Sequence, residues 1–213
     1  NRNKRSVILD LRSPEGKAQA QELLATADVV IENFRPGVMT KLGFNFEEAK
    51  KINPGIIYCS ITGFGQSGPF SELPGYDYVF QGMGGLMSLS GIPEGQPGGE
   101  PMRAGVAVSD LITGMYATSA ILAAIEHRHI SGKGQYIDLA LLDCTVALTS
   151  YMAMNYFLSG NVPKRLGNAH SNMVPYQVFK VADGDMIVAV GNDSQFISLT
   201  KVLGVPELGT DAR

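Results

Sequence analysis

The strongest constraint on the fold is the alternation, over the first third of the chain, of short apolar runs with amphipathic segments. Residues 6–11, 28–34 and 55–61 are predicted to be buried strands because Val, Ile and Leu dominate them. The segment after the first run begins with Ser13 and Pro14, a pair typical of a helix start. Strands that alternate with helices favour a parallel sheet. The predicted fold class is therefore α/β, a Rossmann-like parallel sheet with flanking helices.

The middle of the chain predicts long apolar helices around one more strand. Residues 76–90 are predicted as a helix, 134–140 as a strand and 141–159 as a long buried helix. Another buried helix is predicted directly after Asp110, because one row of its side chains is apolar and much of its remaining surface is apolar too. That row consists of Leu111, Met115, Thr118, Leu122 and Ile125.

The pattern changes again near residue 173. A hairpin with Asp183 and Gly184 at its turn is predicted there, followed by a helix. We therefore expect a large domain over residues 1–172 and the start of a smaller α+β domain over residues 173–213. Part of the large domain is expected upstream, because the chain begins without Met and almost directly on a strand.

Composition narrows the possible partners. With 45% hydrophobic and 17% charged residues the chain can bury a core, and its net charge of −3 offers no basic field for nucleic acid. No apolar run is long enough to predict a membrane partner. Cys59 and Cys144 lie in apolar surroundings and predict buried, reduced thiols. A cytoplasmic location is therefore predicted, or a mitochondrial one if a transit peptide precedes the chain.

Several common kinds of site lack their sequence pattern. His127 and His129 lie at a helix end, where cations suit the dipole, and His170 is distant from both in the sequence, so we predict no metal site. A nucleophilic serine motif, a dinucleotide-binding fingerprint and a Walker loop are also missing from the sequence.

A first candidate site follows the second predicted strand. Asn33, Phe34 and Arg35 leave its carboxyl end, and Lys41 lies about two helical turns further on. Ligands bind at that edge of an open parallel sheet. An aromatic face with two cations could hold an adenine nucleotide and its phosphates. An ordinary solvated turn explains the same residues equally well, and the segment alone leaves both readings open.

A second candidate is Asp110, placed between a short apolar strand and the start of a helix. Aspartate is a good N-cap, and the local sequence favours that role. A carboxylate kept ionised in an apolar pocket could also attack a thioester. The two roles are compatible, and the residues alone do not separate them.

Longer motifs extend beyond these two candidates and resemble a known family. The chain resembles the class III coenzyme A transferases, the group containing formyl-CoA transferase and carnitine CoA-transferase. The matching segments follow the family's order over nearly the whole chain: VILDLRSPEGK, DVVIENFRPGVMTKLGF, IIYCSITGFGQSGP, GYDYVFQGMGGLMSLSG, RAGVAVSDLITGMYA, SGKGQYIDLALLD and RLGNAHSNMVPYQVF.

The resemblance implies a reaction and a set of binding residues. Asp110 falls on the family's nucleophile, which forms an acyl-aspartyl anhydride and then an aspartyl-CoA thioester, with neither ATP nor a metal. Coenzyme A enters as the acyl-CoA substrate, and the other substrate is a carboxylic acid, expected to be a short dicarboxylate such as succinate or glutarate. An interlocked homodimer is implied as well. The positions that fall on or beside the coenzyme A contacts are Leu9, Arg12, Asn33, Phe34, Arg35, Val38, Lys41, Tyr76 and Asp77.

Two departures from family patterns affect the expected activity. Residues 168–173, NAHSNM, stand where formyl-CoA transferase has a glycine-rich lid. Tyr76 stands where the related α-methylacyl-CoA racemases carry a catalytic histidine, so the acid/base pair for α-proton exchange is incomplete. A CoA-transferase is therefore the expected function. A racemase-type enzyme and a non-catalytic protein that binds coenzyme A are the alternatives.

Overall fold

The centre of the fold is a parallel sheet formed by β1 (Val29–Glu32), β2 (Ile57–Thr62) and β3 (Tyr136–Ala140). The computed structural model describes residues 2–211, and within that range these strands lie in the order β1-β2-β3. Val29 pairs with Ile57, and Tyr58 pairs with Tyr136. The predicted fold class, a parallel α/β sheet with flanking helices, is confirmed.

Local capping explains where the helices around this sheet begin. The Ser13 side chain accepts a hydrogen bond from the N–H of Gly16, and the Asn45 side chain accepts one from the N–H of Glu48. Pro14 occupies the first helical position, as predicted. The helices are α1 (Pro14–Thr26), α2 (Val38–Leu42), α3 (Phe46–Ile52), α4 (Asp77–Met83), α5 (Leu86–Leu89), α6 (Val108–Ser131), α7 (Leu141–Leu148) and α8 (Ser150–Ser159).

One cluster of buried side chains joins α1 and α3 to the sheet. Tyr58 on β2 is 1% exposed, and its hydroxyl donates a hydrogen bond to the carbonyl oxygen of Phe44 at 2.8 Å. The apolar ring is thereby buried without leaving its polar end unpaired. The buried members of this cluster are Leu24, Phe44, Ala49, Ile56 and Tyr58.

The strand predicted at residues 6–11 is wrong. These residues form no regular structure, and the side chains of Val7 and Ile8 are 64% and 97% exposed. An apolar run becomes a strand only when another strand completes its hydrogen bonds, and no strand in the described chain pairs with it. At the end of this segment, Leu11 packs against the buried cluster that joins α1 and α3 to the sheet. The short strand expected before Asp110 is likewise not formed.

The burial predicted for α6 is wrong for most of its surface. Small side chains, among them Thr113, Ala117 and Ala124, form its buried face, and α6 packs against β2, β3, α4 and α7. Small residues let a helix lie close to a sheet. The large apolar side chains of the predicted row point elsewhere, and Leu111 and Met115 are 59% and 66% exposed. Nothing in the described chain covers that face.

The helix α6 also departs from the expectation that no segment is long enough to cross a membrane. By length and composition alone, this 24-residue helix could do so. Polar residues at both ends, including Asp110 and Arg128, lengthen it beyond the uninterrupted apolar run seen in the sequence. Core helices pass the same test, and α6 packs along one face of the sheet. The absence of a membrane partner stays a prediction.

Two predicted helices are each divided into shorter ones. The segment 76–90 forms α4 and α5, separated where Gly85 adopts a positive φ of 87°. The segment 141–159 forms α7 and α8, separated at Ser150, whose φ of 49° is in the left-handed region.

The described chain divides into two compact units. The first comprises the chain up to Leu86 together with Arg103–Phe157, and the second comprises Met87–Met102 together with the chain from Leu158 onward. The second unit contains an antiparallel hairpin, β4 (Tyr176–Val181) with β5 (Gly184–Ala189). A helix α9 (Asp193–Val202) and a 3-10 helix (Pro206–Thr210) follow. The hairpin and its following helix are confirmed, but the turn is formed by Ala182 and Asp183, one residue earlier than predicted, because Gly184 pairs with Val181. The boundary between residues 172 and 173 stays a prediction.

Both cysteines are buried free thiols, as predicted. Burial, together with the nearby charge of Glu32, raises the pKa of Cys59 to about 11. Burial likewise raises the pKa of Cys144. A thiol that stays protonated at neutral pH is a poor nucleophile, so these cysteines have a packing role.

Replacing Tyr58 by Phe should lower the free energy of unfolding by about 1–3 kcal/mol, because the buried carbonyl of Phe44 loses its hydrogen-bond donor. Urea denaturation measures the change. The control is Tyr156→Phe, which removes a hydroxyl from a side chain that is 44% exposed and should have an effect within about 0.5 kcal/mol. Equal effects of the two substitutions would contradict the structural role of the Tyr58 hydroxyl.

Candidate active site

Two side chains fix the loop that follows β1. The carboxylate of Glu32, buried at the end of β1, accepts a hydrogen bond from the N–H of Phe34 at 2.8 Å. The side-chain amide of Asn33 donates to the carbonyl oxygen of Ile61 on β2 at 2.6 Å. The loop is therefore held at the carboxyl edge of the sheet, where ligands bind in parallel α/β folds. Glu32 was missed by the sequence analysis, although a carboxylate inside the apolar run VVIE is a visible signal.

A cavity of about 170 Å³ opens at this edge. Asn33, Phe34 and Arg35 line one side of it, and Tyr76 belongs to the segment that lines the other. The rings of Phe34 and Tyr76 are 49% and 73% exposed. An aromatic surface, an amide and a guanidinium are thus presented together, and these four residues were all predicted to contact coenzyme A.

The remaining predicted contacts lie outside this cavity. Val38 and Lys41 are on α2, directly after the loop, and Leu9 and Arg12 are in the segment before α1. Neither pair lines the 170 Å³ cavity. They also do not line a neighbouring cavity of about 290 Å³, which Arg35 shares. Their role in binding stays a prediction.

The segment that carries Tyr76 is held by an aromatic ring. Phe80 on α4 is fully buried, and a Cβ atom at Gly75 would collide with its ring. Glycine at position 75 therefore lets the backbone pass over Phe80 and places Tyr76 at the cavity and Asp77 at the first position of α4.

Asp77 caps a helix other than its own. Its Oδ1 accepts hydrogen bonds from the backbone N–H of Ser109 at 2.7 Å and from that of Asp110 at 3.4 Å. These are the second and third residues of α6, whose own N-cap residue, Ala107, has no side-chain oxygen to offer. The expectation that Asp110 caps α6 is therefore wrong, because the helix begins three residues earlier than its sequence suggested.

The ionised form of the Asp110 side chain is less favoured than the sequence predicts. Asp110 as a whole is exposed, but partial burial raises the pKa of its carboxyl, and the negative charge of Asp77 raises it further. The N–H groups that would have favoured ionisation are instead bonded to Asp77. Asp110 is thus a carboxylate of raised basicity at the start of a long helix, joined by Asp77 to the segment that lines the cavity.

The sequence analysis also missed Gln81, which completes this arrangement. Its side chain is fully buried on α4, and its Nε2 donates to Asp77 Oδ2 at 2.7 Å. Its Oε1 accepts a hydrogen bond from the N–H of Ala104 at 2.8 Å. Asp77 and Gln81 are four residues apart on one helix, a spacing at which side chains meet, and that spacing could have indicated the pair.

Among residues 2–211, no group of three or more His, Cys, Asp or Glu side chains is arranged to hold a metal ion. His127 and His129 lie in the last turns of α6, and His129 is 3.6 Å from Glu126.

Comparison with known protein families gives a match along the whole chain, in agreement with the motifs and the candidate site. Residues 1–213 match the model of CoA-transferase family III. The chain belongs to this family. It is 53% identical over 213 residues to a succinate–glutarate CoA-transferase of Agrobacterium fabrum, covering 100% of this chain and 52% of that protein. It is 45% identical over 208 residues to the human succinyl-CoA:glutarate CoA-transferase, covering 98% of this chain and 47% of that protein.

A solved structure shares the fold. The crystal structure of a CAIB/BAIF family protein from Brucella suis is 51% identical, with a TM-score of 0.81, and the match covers 100% of this chain and 55% of that one. The chain thus spans about half the length of the family III relatives it matches.

The substitutions Asp77→Ala and Asp110→Asn should differ in their effect on the free energy of unfolding. Asp77→Ala removes the cap of α6 and should lower the free energy of unfolding at pH 7 by about 0.5–2 kcal/mol. Asp110→Asn should not lower it. The folded protein holds the Asp110 proton more tightly than the unfolded chain, so this residue costs stability as pH rises through its raised pKa.

Urea denaturation of the two variants and the wild-type protein measures this ranking. The advantage of Asp110→Asn should be present at pH 7 and should shrink as pH falls towards the ordinary aspartate range. Because Asp110 is an exposed residue at a helix start, the loss of a favourable dipole interaction opposes the gain, and the net change is expected to be small. The reverse ranking of Asp77→Ala and Asp110→Asn would show that Asp110 is the cap.

Proposed function

We propose that this protein transfers coenzyme A between an acyl-CoA thioester and a free carboxylic acid, with Asp110 as the nucleophile. The observation that carries the proposal is the position of Asp110. Its carboxylate has a raised pKa, and its backbone is bonded to Asp77, next in sequence to Tyr76 in the wall of the 170 Å³ cavity. Membership of CoA-transferase family III supports the same activity.

The proposed reaction proceeds through two covalent states of Asp110. The Asp110 carboxylate attacks the thioester carbonyl, and the coenzyme A thiolate leaves, which gives an acyl-aspartyl anhydride. The thiolate then attacks the Asp110 carbonyl of this anhydride, so the first acid departs as a carboxylate and an aspartyl-CoA thioester remains. The incoming carboxylate repeats these steps in reverse order and leaves with coenzyme A. The overall reaction exchanges one carboxylic acid for another on coenzyme A at similar energy, so the cycle requires no ATP.

The environment of Asp110 suits such a nucleophile. A carboxylate of raised pKa is more basic than an ordinary aspartate, and its ionised form is the reactive one. The Asp77 charge beside it disfavours the ionised state of Asp110 and favours its conversion to an uncharged anhydride or thioester. Reaction at Asp110 thus removes the same unfavourable charge that raises its pKa.

The proposed binding of coenzyme A uses the loop after β1. Arg35 and Lys41 would pair with the phosphates, and Phe34 would contact the adenine or the pantetheine chain. Leu9, Arg12, Asn33, Val38, Tyr76 and Asp77 complete the proposed contacts. The exposure of Phe34 and the place of Arg35 in two adjoining cavities support this proposal.

The proposed acyl group is a short dicarboxylate such as succinate or glutarate. The names of the Agrobacterium and human relatives support this choice. We also propose an interlocked homodimer in a reducing compartment. The uncovered apolar side chains of α6 support a partner subunit, and the two buried free thiols support the compartment.

The test is a panel of acyl-CoA donors against carboxylate acceptors, followed by mass spectrometry on the full-length protein. Transfer to a short dicarboxylate is the expected result. Binding of acyl-CoA without transfer to any acceptor would instead identify a non-catalytic protein that binds coenzyme A.

Asp110→Asn should lower kcat by several orders of magnitude, because an amide is not a carboxylate nucleophile. Incubation of the wild-type protein with acyl-CoA, trapping with hydroxylamine or borohydride, and digestion should modify the peptide that contains AVSDLITGMY. Asp143→Asn, which changes an exposed carboxylate on α7, is the matched control and should retain activity. A fully active Asp110→Asn protein, shown not to have deamidated, would eliminate Asp110 as the nucleophile.

Arg35→Ala should weaken binding of an acyl-CoA by about 1.5–3 kcal/mol through loss of a charge-assisted hydrogen bond. Isothermal titration calorimetry measures the affinity, with circular dichroism to verify the fold. Lys133→Ala removes an exposed cation beyond the end of α6 and should leave the affinity unchanged. Equal affinities of Arg35→Ala and wild type would exclude Arg35 from the binding site.

The acidic limb of the pH profile of kcat/KM should report the pKa of Asp110. Because the carboxylate is the reactive form, activity should fall as pH drops through that pKa, which lies above the ordinary value of about 3.9. Asp77→Asn removes a neighbouring negative charge and should move the limb to lower pH. The pH–rate profiles of both proteins test this, and a limb that stays in place or moves to higher pH would contradict it.

A further inference from the structure

The Gln81 carboxamide joins three parts of the first unit. On α4, its Nε2 donates to Asp77 Oδ2 at 2.7 Å. The same nitrogen donates to the carbonyl oxygen of Val106 at 3.3 Å, and Oε1 accepts a hydrogen bond from the N–H of Ala104 at 2.8 Å. Both amide protons and the oxygen are therefore used, in a side chain with no solvent exposure.

The segment that Gln81 holds leads directly into α6. Residues 103–107 form neither a helix nor a strand, and Ala107 cannot cap the helix with its side chain. The first turn of α6 therefore depends on contacts from elsewhere in the chain. Asp77 bonds to its N–H groups, and Gln81 bonds both to Asp77 and to the backbone before the helix.

We propose that Gln81 is a positioning residue for the transfer reaction. Its carboxamide holds the Asp77 carboxylate on the N–H groups of Ser109 and Asp110 and holds residues 104–106 beside α4. The Asp110 carboxylate is thereby fixed relative to the cavity. This inference rests on the proposed function.

Side-chain chemistry explains why glutamine occupies this position. The site requires two donors, directed at a carboxylate and a carbonyl, and one acceptor directed at an N–H. Glutamate would lack the donors and would bring a second negative charge against Asp77. Asparagine is one methylene shorter, and methionine has a similar length without either function. Each replacement loses a different part of the network in a site that excludes water.

Full-length Gln81→Met should retain the fold, and its KM for acyl-CoA should stay within about threefold of wild type. Its kcat should fall by about tenfold to a hundredfold. The reason is that a reacting group displaced by about 1 Å loses rate rather than affinity. Gln81→Glu, with nearly the same shape, provides a second test if the methionine variant is unstable, and it should lose kcat as well. The control is Thr145→Val on α7, also fully buried and packed against Gly84, which should keep kcat within about twofold.

Two measurements separate positioning from general destabilisation. Hydrogen-exchange mass spectrometry should show faster exchange in peptides covering residues 104–111 of Gln81→Met, while β2 peptides remain protected. In a double-mutant cycle on kcat, Gln81→Met should add little to Asp77→Asn, because both substitutions break the same contact.

A wild-type kcat in Gln81→Met, an equal loss in Thr145→Val, unchanged exchange over residues 104–111, or multiplicative effects in the cycle would each overturn the role of Gln81. Wild-type transfer would continue in all of these cases, so the proposed function would stand. Absence of transfer by the wild-type protein would overturn the proposed function, and the role of Gln81 with it.

Discussion

The start of α6 requires a hydrogen-bond acceptor that its own sequence does not supply. Every helix begins with unpaired N–H groups, and the residue before α6 is Ala107. Asp77 supplies the missing oxygen from the first position of α4. This contact couples the two helices that carry the candidate site, because α4 begins at the cavity wall and α6 carries Asp110. It also places a negative charge beside Asp110 and occupies the N–H groups that would have favoured its ionised form, which adds to the effect of burial in raising its pKa.

The parallel sheet brings several of the predicted binding residues to the same place from two segments of the chain. The loop after β1 carries Phe34 and Arg35, and the segment after β2 carries Tyr76. Parallel strands end at one edge, so residues separated by about forty positions line one cavity. Glu32 and Asn33 fix the first loop through hydrogen bonds, and the close approach of Gly75 to Phe80 fixes the second. The candidate site is thus assembled from rigid supports, and the backbone of Asp110 is joined to it through Asp77.

The uncovered surfaces agree with a chain that spans about half the length of its relatives. The apolar side chains of Leu111 and Met115 on α6 and of Ile8 before α1 are exposed. In water, exposed apolar side chains at such density mark surfaces that contact other protein segments. These residues were predicted to be buried because they are apolar. Apolar character alone does not identify the neighbour that covers a side chain.

The sequence by itself determined the features whose causes lie within a few residues. The strands β1, β2 and β3, the cap at Ser13 and the presence of the hairpin follow from local side-chain chemistry and backbone preference. Sheet topology and the family motifs indicated Asn33, Phe34, Arg35 and Tyr76. Tertiary structure decided that residues 6–11 form no strand, that Asp77 and not Asp110 caps α6, and that Gln81 joins the two. These outcomes depend on hydrogen-bond partners more than twenty residues away, and a local pattern carries no information about which distant group will satisfy a buried N–H.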